Sequence, residues 1–217
     1  MPRQPSLQAG FGDFLQKMYR QAPDVSTRFC RLHYVSRFIK GFLMETRLKV
    51  FEQSQLDNKI YSVVQKTGNA LFEYCSTPSA RDLFNEANSP GCSSAKVQEV
   101  FLEKALELGF HSEKRQLFQT IPTSNLRPDY YKKVDRSGII IEVERGKTIM
   151  NNMDMLDMWK CHLCTNANHL FLFVPNALQH NNNTSPYDCF RIVSNRMEPF
   201  FLKENYSNVH SLWIFGY

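Results

Sequence analysis

The chain has 217 residues and a formal net charge of +5, and 42% of its residues are hydrophobic and 22% charged. This composition is ordinary for a water-soluble globular protein, and the length suffices for one domain with a full core, alone or with a helical extension. The longest apolar run, around 170–175, is far too short to span a bilayer, which excludes a membrane-spanning class.

Cysteine usage and the start of the sequence predict a cytoplasmic protein. Six cysteines occur in a chain whose first residues contain no apolar signal region. In a chain of this length that combination is typical of reduced thiols rather than a disulfide framework. The mildly basic charge is compatible with a polyanionic partner but does not by itself indicate one.

The first part of the chain, 1–90, is predicted to be a helical N-terminal region. Apolar residues recur at helical spacing from 11 to about 87, for example Phe14 with Met18 and Leu48 with Phe51. Cations are scattered through the same region, and they fit either the solvated faces of amphipathic helices or a surface that contacts phosphates. They are Arg28, Arg31, Arg37, Lys40, Arg47 and Lys49.

A break rich in turn-forming residues covers 88–94, and the second predicted region, 91–217, begins there. Ser93 or Ser94 is placed to cap a helix over 95–108, and Gly109 is placed to end it. Strands are then predicted near 115–118, 127–134 and 138–144, with a hairpin turn at 135–138.

A helix is predicted over about 152–164, with Met153, Leu156, Trp159 and Leu163 on its buried side. Asn152 is predicted to cap it with Asp154 in the first turn, and the alternative places Asp154 and Asp157 near the carboxylates described below. The sequence assigns no role to Lys160. The remaining predictions are a buried strand at 169–174, an exposed loop at 179–186, and strands near 190–193 and 211–215.

One further pattern lies at the end of this helix. Cys161, Cys164 and His169 have a spacing that zinc sites use, but the apolar surroundings favour buried thiols.

Three carboxylates stand out in the predicted hairpin. Side chains alternate along a strand, so Glu142 and Glu144 share a face with Ile140, whereas Ile139, Ile141 and Val143 face the core on the other side. Two acids on an otherwise apolar strand are costly unless a cation compensates them. Asp129 on the neighbouring strand could supply a third oxygen ligand, which predicts a site for Mg²⁺ or Mn²⁺.

The segments Leu126-Arg127-Pro128-Asp129 and Glu142-Val143-Glu144 resemble the PD-(D/E)XK nuclease superfamily, to which most type II restriction endonucleases belong. In that family a Pro-Asp pair precedes an acid-x-Lys triplet on the next strand. Glu144 stands where lysine is usual, although some restriction endonucleases carry Glu or Gln there. Lys147 could take the lysine's role if Gly146 bends the strand.

The resemblance implies an α/β restriction-endonuclease-like fold, a mixed sheet flanked by helices, here with an N-terminal helical extension. It implies metal-dependent hydrolysis of DNA phosphodiester bonds, with Asp129, Glu142 and Glu99 from the preceding helix at the Mg²⁺ or Mn²⁺ site. Glu144 or Lys147 would orient or deprotonate the water. The alternative is a surface hairpin whose acids pair with Arg127, Arg145 or Lys147.

Four cations near the carboxylates are expected to contact the DNA backbone, unless they are simply solvated around the turn. They are Arg127, Lys132, Lys133 and Arg136. The family resemblance further implies a homodimer. Two rival functions remain open: a non-catalytic nucleic-acid-binding or regulatory protein on the same fold, which the missing lysine favours, and a transposition or repair nuclease.

Overall fold

The computed structural model describes residues 45–112, 117, 126–179 and 184–217. The helices predicted within 11–44 lie outside these residues, as does nearly all of the strand predicted near 115–118. The middle of the loop predicted at 179–186 also lies outside them.

Strands and helices alternate along the described part of the chain. The elements before the hairpin are β1 (Arg47–Glu52), α1 (Asn58–Cys75), α2 (Pro78–Ala87), α3 (Ser94–Glu107) and β2 (His111–Ser112). The hairpin and the next two elements are β3 (Tyr130–Val134), β4 (Ser137–Val143), α4 (Met153–Leu163) and β5 (His169–Val174). The last elements are β6 (Ala177–Leu178), β7 (Tyr187–Asp188), α5 (Cys189–Met197), a 3₁₀ turn (Glu198–Phe201) and β8 (Ser211–Gly216).

The central sheet is mixed and has the strand order β1-β8-β5-β4-β3-β2. Its middle strands β4, β5 and β8 are parallel. At one side β1 pairs antiparallel with β8, and at the other β3 pairs antiparallel with both β4 and β2. All three parallel strands are buried along their whole length. Parallel strands need helices on both faces, and the described residues supply them.

Two apolar clusters fill the space on either side of the sheet. One cluster joins α1, α2 and α3 to Phe171, Phe173 and Phe215, and the rings of Phe101 and Phe173 stack with centroids 4.3 Å apart. The other joins α4 and α5 to Leu170, Leu172 and Ile214. The described residues therefore form a helix–sheet–helix sandwich, which confirms the predicted mixed sheet flanked by helices.

The helix predicted around Leu48 and Phe51 is wrong, because β1 occupies this segment and pairs with β8 over its full length. Leu48 packs into the first cluster, whereas Phe51 packs into the second and stacks on Phe201. This alternation of faces defines a strand. β1, α1 and α2 lie in the same compact unit as the later strands and helices. The division of the chain near residue 90 stays a prediction.

Two predictions for the second half of the chain are also wrong. The strand expected near 190–193 is helix α5, where Phe190, Val193 and Met197 are buried at helical spacing and the Asp188 side chain accepts from the Arg191 N–H at 2.8 Å. The buried side expected for α4 faces solvent instead, because Leu156, Trp159 and Leu163 are all at least 40% exposed.

Other predictions agree with the structure. The helix expected over 95–108 is α3, and Gly109 ends it with a φ of +87°, a left-handed conformation that glycine adopts without strain. The hairpin, the strand at His169–Val174 and the strand at Ser211–Gly216 are all present. Among the described residues, no helix is both long and apolar enough to cross a membrane.

Candidate active site at the end of strand β4

Asp129 and Glu142 meet at the end of the β3–β4 hairpin. Tyr130 pairs with Ile141 in this antiparallel ladder, so Asp129, one residue earlier, lies opposite Glu142. The Val143 N–H donates to Asp129 Oδ2 at 2.9 Å and fixes the position of that carboxylate. Glu142 is only 3% exposed. The structure therefore brings these two predicted site residues together.

Helix α4 adds two charged side chains: Asp157, which the sequence placed near the carboxylates as an alternative, and Lys160, to which it assigned no role. Lys160 Nζ lies 2.9 Å from Glu142 Oε1 and 2.8 Å from Asp157 Oδ1. Asp157 and Lys160 are one helical turn apart and therefore share a face of α4, and both are buried. Glu142 therefore pairs with Lys160. The surface-hairpin alternative had expected Arg127, Arg145 or Lys147 as the partner of the acids.

Glu144 joins the cluster from just beyond β4. Its backbone N–H donates to the Phe173 carbonyl at 2.9 Å, which extends the parallel ladder, and its carbonyl accepts from the Tyr217 hydroxyl at 2.8 Å. Its carboxyl group lies close enough to Asp157 for the Asp157 charge to raise the pKa of Glu144. Asp129, Glu142, Glu144, Asp157 and Lys160 are called the acidic cluster below.

The acidic cluster holds four carboxyl groups and one ammonium group. Burial, and then repulsion from Asp157, raises the pKa of Glu142 well above its usual value and that of Glu144 to about 9. Burial raises the pKa of Asp157 to about 6 and also raises that of Asp129. Burial alone would lower the pKa of Lys160, but the Glu142 and Asp157 carboxylates outweigh it and raise that pKa. The cluster therefore has an excess of acid that protons or a cation must compensate.

The donor types of this cluster fit a hard divalent ion, because every one of its acids offers carboxylate oxygens. Among the residues that the structure describes, no three acid, histidine or cysteine side chains are grouped so as to hold a metal ion. Mg²⁺ does not need such a cage, since proteins commonly bind it through one or two carboxylates together with water and substrate phosphate. Asp129 and Glu142 can supply such a pair.

Glu99 does not join the cluster. It is exposed and lines a separate groove with Glu86 and Lys96. The preceding residue, Gln98, is nearer the cluster: its side-chain oxygen accepts from the Tyr130 hydroxyl at 3.1 Å, and it lies close enough to Asp129 to lower the pKa of that carboxyl. Helix α3 thus presents an amide where the family resemblance implied an acid.

Lys147 lies outside the cluster as well. Gly146 has a φ of +81° and turns the chain away from the strand, and Lys147 follows it at an exposed position. The bend expected at Gly146 is therefore present, but it does not return Lys147 to the face of Glu142. Arg145, one of the other partners expected for the acids, instead donates to the Cys92 carbonyl at 2.7 Å and to the Asn88 carbonyl at 3.1 Å.

The four cations predicted to contact DNA do not form one surface beside the acids. Lys133 pairs with Gly138, four residues along β4 from Glu142, and that length of strand spans about 13 Å. Lys132 Nζ donates to Thr67 Oγ1 at 2.9 Å, and Arg136 pairs with the Asp57 carboxylate. Arg127 is exposed and near enough to Asp129 to lower its pKa, against the larger effect of burial.

Sequence reasoning preferred capping for Asn152 and Asp154, kept Asp157 near the carboxylates only as an alternative, and assigned no role to Lys160. Asn152 does precede α4, but its side chain makes no capping bond and instead accepts from Arg196 at 2.6 Å. Asp154 is buried and pairs with Arg196 Nε at 3.0 Å. A signal was present in the sequence: Asp154, Asp157 and Lys160 recur at intervals of three and so define a polar face.

The comparisons with known proteins are sparse. No protein-family model matches the chain, and no curated protein matches its sequence. Among solved structures, it is similar to the restriction endonuclease BglII in complex with a DNA 16-mer, at 10% sequence identity and a TM-score of 0.40. The alignment covers 80% of this chain and 76% of that chain. Neither activity nor substrate is transferred to this chain at that level of similarity.

Proposed function

We propose that the protein is a metal-dependent DNA endonuclease of the restriction type, with the acidic cluster as its active site. The observation that carries this proposal is the collection of four carboxyl groups around the single Lys160 ammonium at one end of the sheet. A stable fold gains nothing from buried carboxyls in such excess. A site that recruits a cation and works on a phosphodiester does need them.

In this proposal Asp129 and Glu142 hold Mg²⁺ or Mn²⁺. The ion, when bound, polarises the scissile phosphate and lowers the pKa of a bound water. Lys160, which enters from α4, supplies the ammonium that is missing from position 144, because it lies 2.9 Å from Glu142. Lys160 then orients the attacking water, the role for which Glu144 and Lys147 were the sequence-based candidates. Glu144 and Asp157 form a carboxyl pair that can hold a proton beside the site.

A second candidate function is a non-catalytic nucleic-acid-binding protein on the same fold. The observation that favours it is burial: Glu142 is 3% exposed, Asp157 is fully buried, and Lys160 already neutralises part of their charge. A cleavage site must admit a phosphate, so on this alternative the cluster would be an internal ion pair. The two functions differ in what removal of Asp129 or Glu142 does to DNA.

The deciding experiment is cleavage of supercoiled plasmid and phage DNA with Mg²⁺, Mn²⁺ or EDTA. Asp129→Asn and Glu142→Gln keep the side-chain shape and remove the charge, and Glu99→Gln is the matched control at an exposed acid outside the cluster. Discrete fragments that require metal and are lost only in the two cluster variants would support a restriction-type enzyme. Metal-dependent smearing lost in the same variants would favour a transposition or repair nuclease.

Cleavage that survives both cluster substitutions, or no cleavage by the pure protein, would overturn the proposed site and favour the non-catalytic alternative. We also expect a homodimer, as the cutting of both strands of a symmetric target requires two sites. Sedimentation of the protein with and without DNA tests the dimer independently of cleavage.

A further inference from the structure

An aromatic groove lies on the outer side of α4, away from the acidic cluster. Its walls are Trp159, His162 and Tyr206, and its floor includes Met158 and Phe200. Trp159 is 52% exposed and Tyr206 is 84% exposed, although both are large aromatic side chains. The groove encloses about 380 Å³, within the size range of sites for small ligands.

The three rings are held in a fixed arrangement. His162 meets Trp159 edge to face at 5.2 Å and Tyr206 at 6.3 Å, with interplanar angles of 88° and 80°. Asn208 organises them: its backbone N–H donates to His162 Nδ1 at 3.2 Å, its amide donates to the His162 carbonyl at 3.0 Å, and its Oδ1 accepts from the Tyr206 hydroxyl at 2.5 Å.

The bond from Asn208 also defines the chemistry of the histidine ring. Because Nδ1 accepts a backbone hydrogen, the hydrogen of the neutral imidazole is on Nε2, which leaves one ring donor for another partner. None of the groove's lining residues is acidic or basic apart from this histidine. The groove therefore offers flat apolar faces and a few neutral polar groups, which suit a planar aromatic ligand better than a phosphate.

We propose that this groove binds an unpaired nucleobase of the nucleic acid on which the acidic cluster acts. The inference rests on the proposed function for the presence of nucleic acid, and on the Trp159–His162–Tyr206 arrangement for the base. Aromatic side chains bind single-stranded nucleic acid by stacking on bases, and a ring N–H can donate to a base edge. Trp159 and Lys160 are consecutive residues of α4. One helix would therefore bind a base on its outer face and act on the scissile phosphate from its inner face, through Lys160.

This arrangement also accounts for the orientation of α4. Three of its apolar residues, Leu156, Trp159 and Leu163, face outward. Asp154, Asp157 and Lys160 face inward, on the side where Met158 and Cys161 are also buried. A helix with only a structural role would be expected to turn the other way. Two functional faces on the same helix explain the inversion.

The test is binding of a fluorescent single-stranded oligothymidylate, in EDTA so that no cleavage occurs, compared with an abasic oligomer of equal length. Wild type should bind the base-bearing oligomer more tightly, and Trp159→Ala and Tyr206→Ala should each weaken it by about tenfold. The control is Leu106→Ala, which removes an equally exposed apolar side chain from α3. Thermal melting of each variant confirms that it is folded.

Equal affinity for the abasic oligomer, or full affinity in both aromatic variants, would overturn the base site. Loss of self-association in Trp159→Ala, or binding of a trimethyllysine peptide that this variant abolishes, would also overturn it and assign the groove to a second copy or to a cation. The plasmid assay separates this failure from that of the proposed function, because it depends on Asp129 and Glu142 whether or not the groove binds a base.

Discussion

Lys160 and Glu142 form a buried ion pair, 2.9 Å from nitrogen to oxygen, that joins α4 to the end of strand β4. Because Asp157 flanks the same ammonium at 2.8 Å, one lysine is shared by two carboxylates. The pair places a cation against the acid of the triplet Glu142-Val143-Glu144 although the triplet itself contains no lysine.

Removal of the Lys160 charge should destabilise the protein strongly. Lys160→Met leaves two buried carboxylates without their ammonium, and breaking a buried pair at one partner costs about 3–5 kcal/mol. The measurement is urea unfolding at neutral pH. Lys104→Met, which removes a lysine paired with Glu107 at the surface, should cost at most about 1 kcal/mol.

Lys160→Arg tests whether position 160 needs only a positive charge or the lysine ammonium itself. It keeps a cation and should recover most of the stability lost in Lys160→Met, but it should not recover DNA cleavage, because the guanidinium has a different shape and directs its donors differently. Equal stability of Lys160→Met and wild type would contradict the buried ion pair.

Glu144 should make the protein less stable as the pH rises. Burial, with Asp157 beside it, raises the pKa of Glu144 from 4.5 to about 9. Between these values the folded protein binds a proton that the unfolded chain has released, so folding stability is highest below pH 4.5 for this group and is lost up to about pH 9. The measurement is the free energy of unfolding in EDTA from pH 5 to 8.

Glu144→Gln should flatten that pH dependence, since the glutamine cannot ionise. Added Mg²⁺ should also oppose the loss of stability at high pH in wild type, because the ion binds the ionised cluster of the folded protein. An unchanged slope in Glu144→Gln would show that the pKa of Glu144 is not raised in the folded protein. Glu99→Gln, an exposed acid outside the cluster, is the control and should leave the slope as it is.

The strand that carries the candidate site could be predicted from sequence because its pattern is local. Ile139, Ile141 and Val143 pack into one cluster while Ile140 packs into the other, as alternation requires. The same pattern placed Asp129 on the neighbouring strand, as a possible ligand beside Glu142. These inferences depend only on neighbours in the hairpin, and the turn at Asp135 fixes their register.

The rest of the site depends on contacts across the fold. Lys160 is 18 residues from Glu142 along the chain, and nothing in the hairpin indicates which face of a later helix will cover it. Leu156, Trp159 and Leu163 gave a misleading guide to the buried face of α4 because the enclosed face combines Met158 and Cys161 with charged side chains. The same limit applies to β1. The spacing of Leu48 and Phe51 is compatible with a helix or a strand, and pairing with β8 makes the segment a strand.

His169 should make the protein less stable in acid. Its ring is 1% exposed, and its Nδ1 lies 2.8 Å from Ser211 Oγ. Burial, and then repulsion from His210, lowers the pKa of His169 from 6.5 to about 4. Between these values the unfolded chain binds a proton that the folded protein does not, so stability is complete above pH 6.5 and falls towards pH 4.

Urea unfolding between pH 4 and 7 measures this loss. His169→Gln should reduce the slope, whereas His111→Gln, at an exposed position in β2, should not. If both variants keep the slope of wild type, acid sensitivity comes from other groups and His169 is not the buried neutral histidine that the structure indicates.

Tyr217 should support the acidic cluster by holding the backbone of Glu144. Its buried hydroxyl donates to the Glu144 carbonyl at 2.8 Å. Tyr217→Phe removes the donor and leaves that carbonyl unsatisfied, at a cost of about 1–3 kcal/mol. Since Glu144 sits two residues from Glu142, the same change should also lower the rate of DNA cleavage more than stability alone explains.

Tyr74→Phe is the matched control for that comparison. The Tyr74 hydroxyl donates to the Val100 carbonyl at 3.0 Å, between α1 and α3, so its loss removes the same kind of bond from a carbonyl outside the acidic cluster. We expect a similar loss of stability in both variants, measured by thermal melting, and a loss of cleavage only in Tyr217→Phe at a temperature where both are folded. Equal cleavage by the two variants would mean that Tyr217 only stabilises the fold and does not position Glu144.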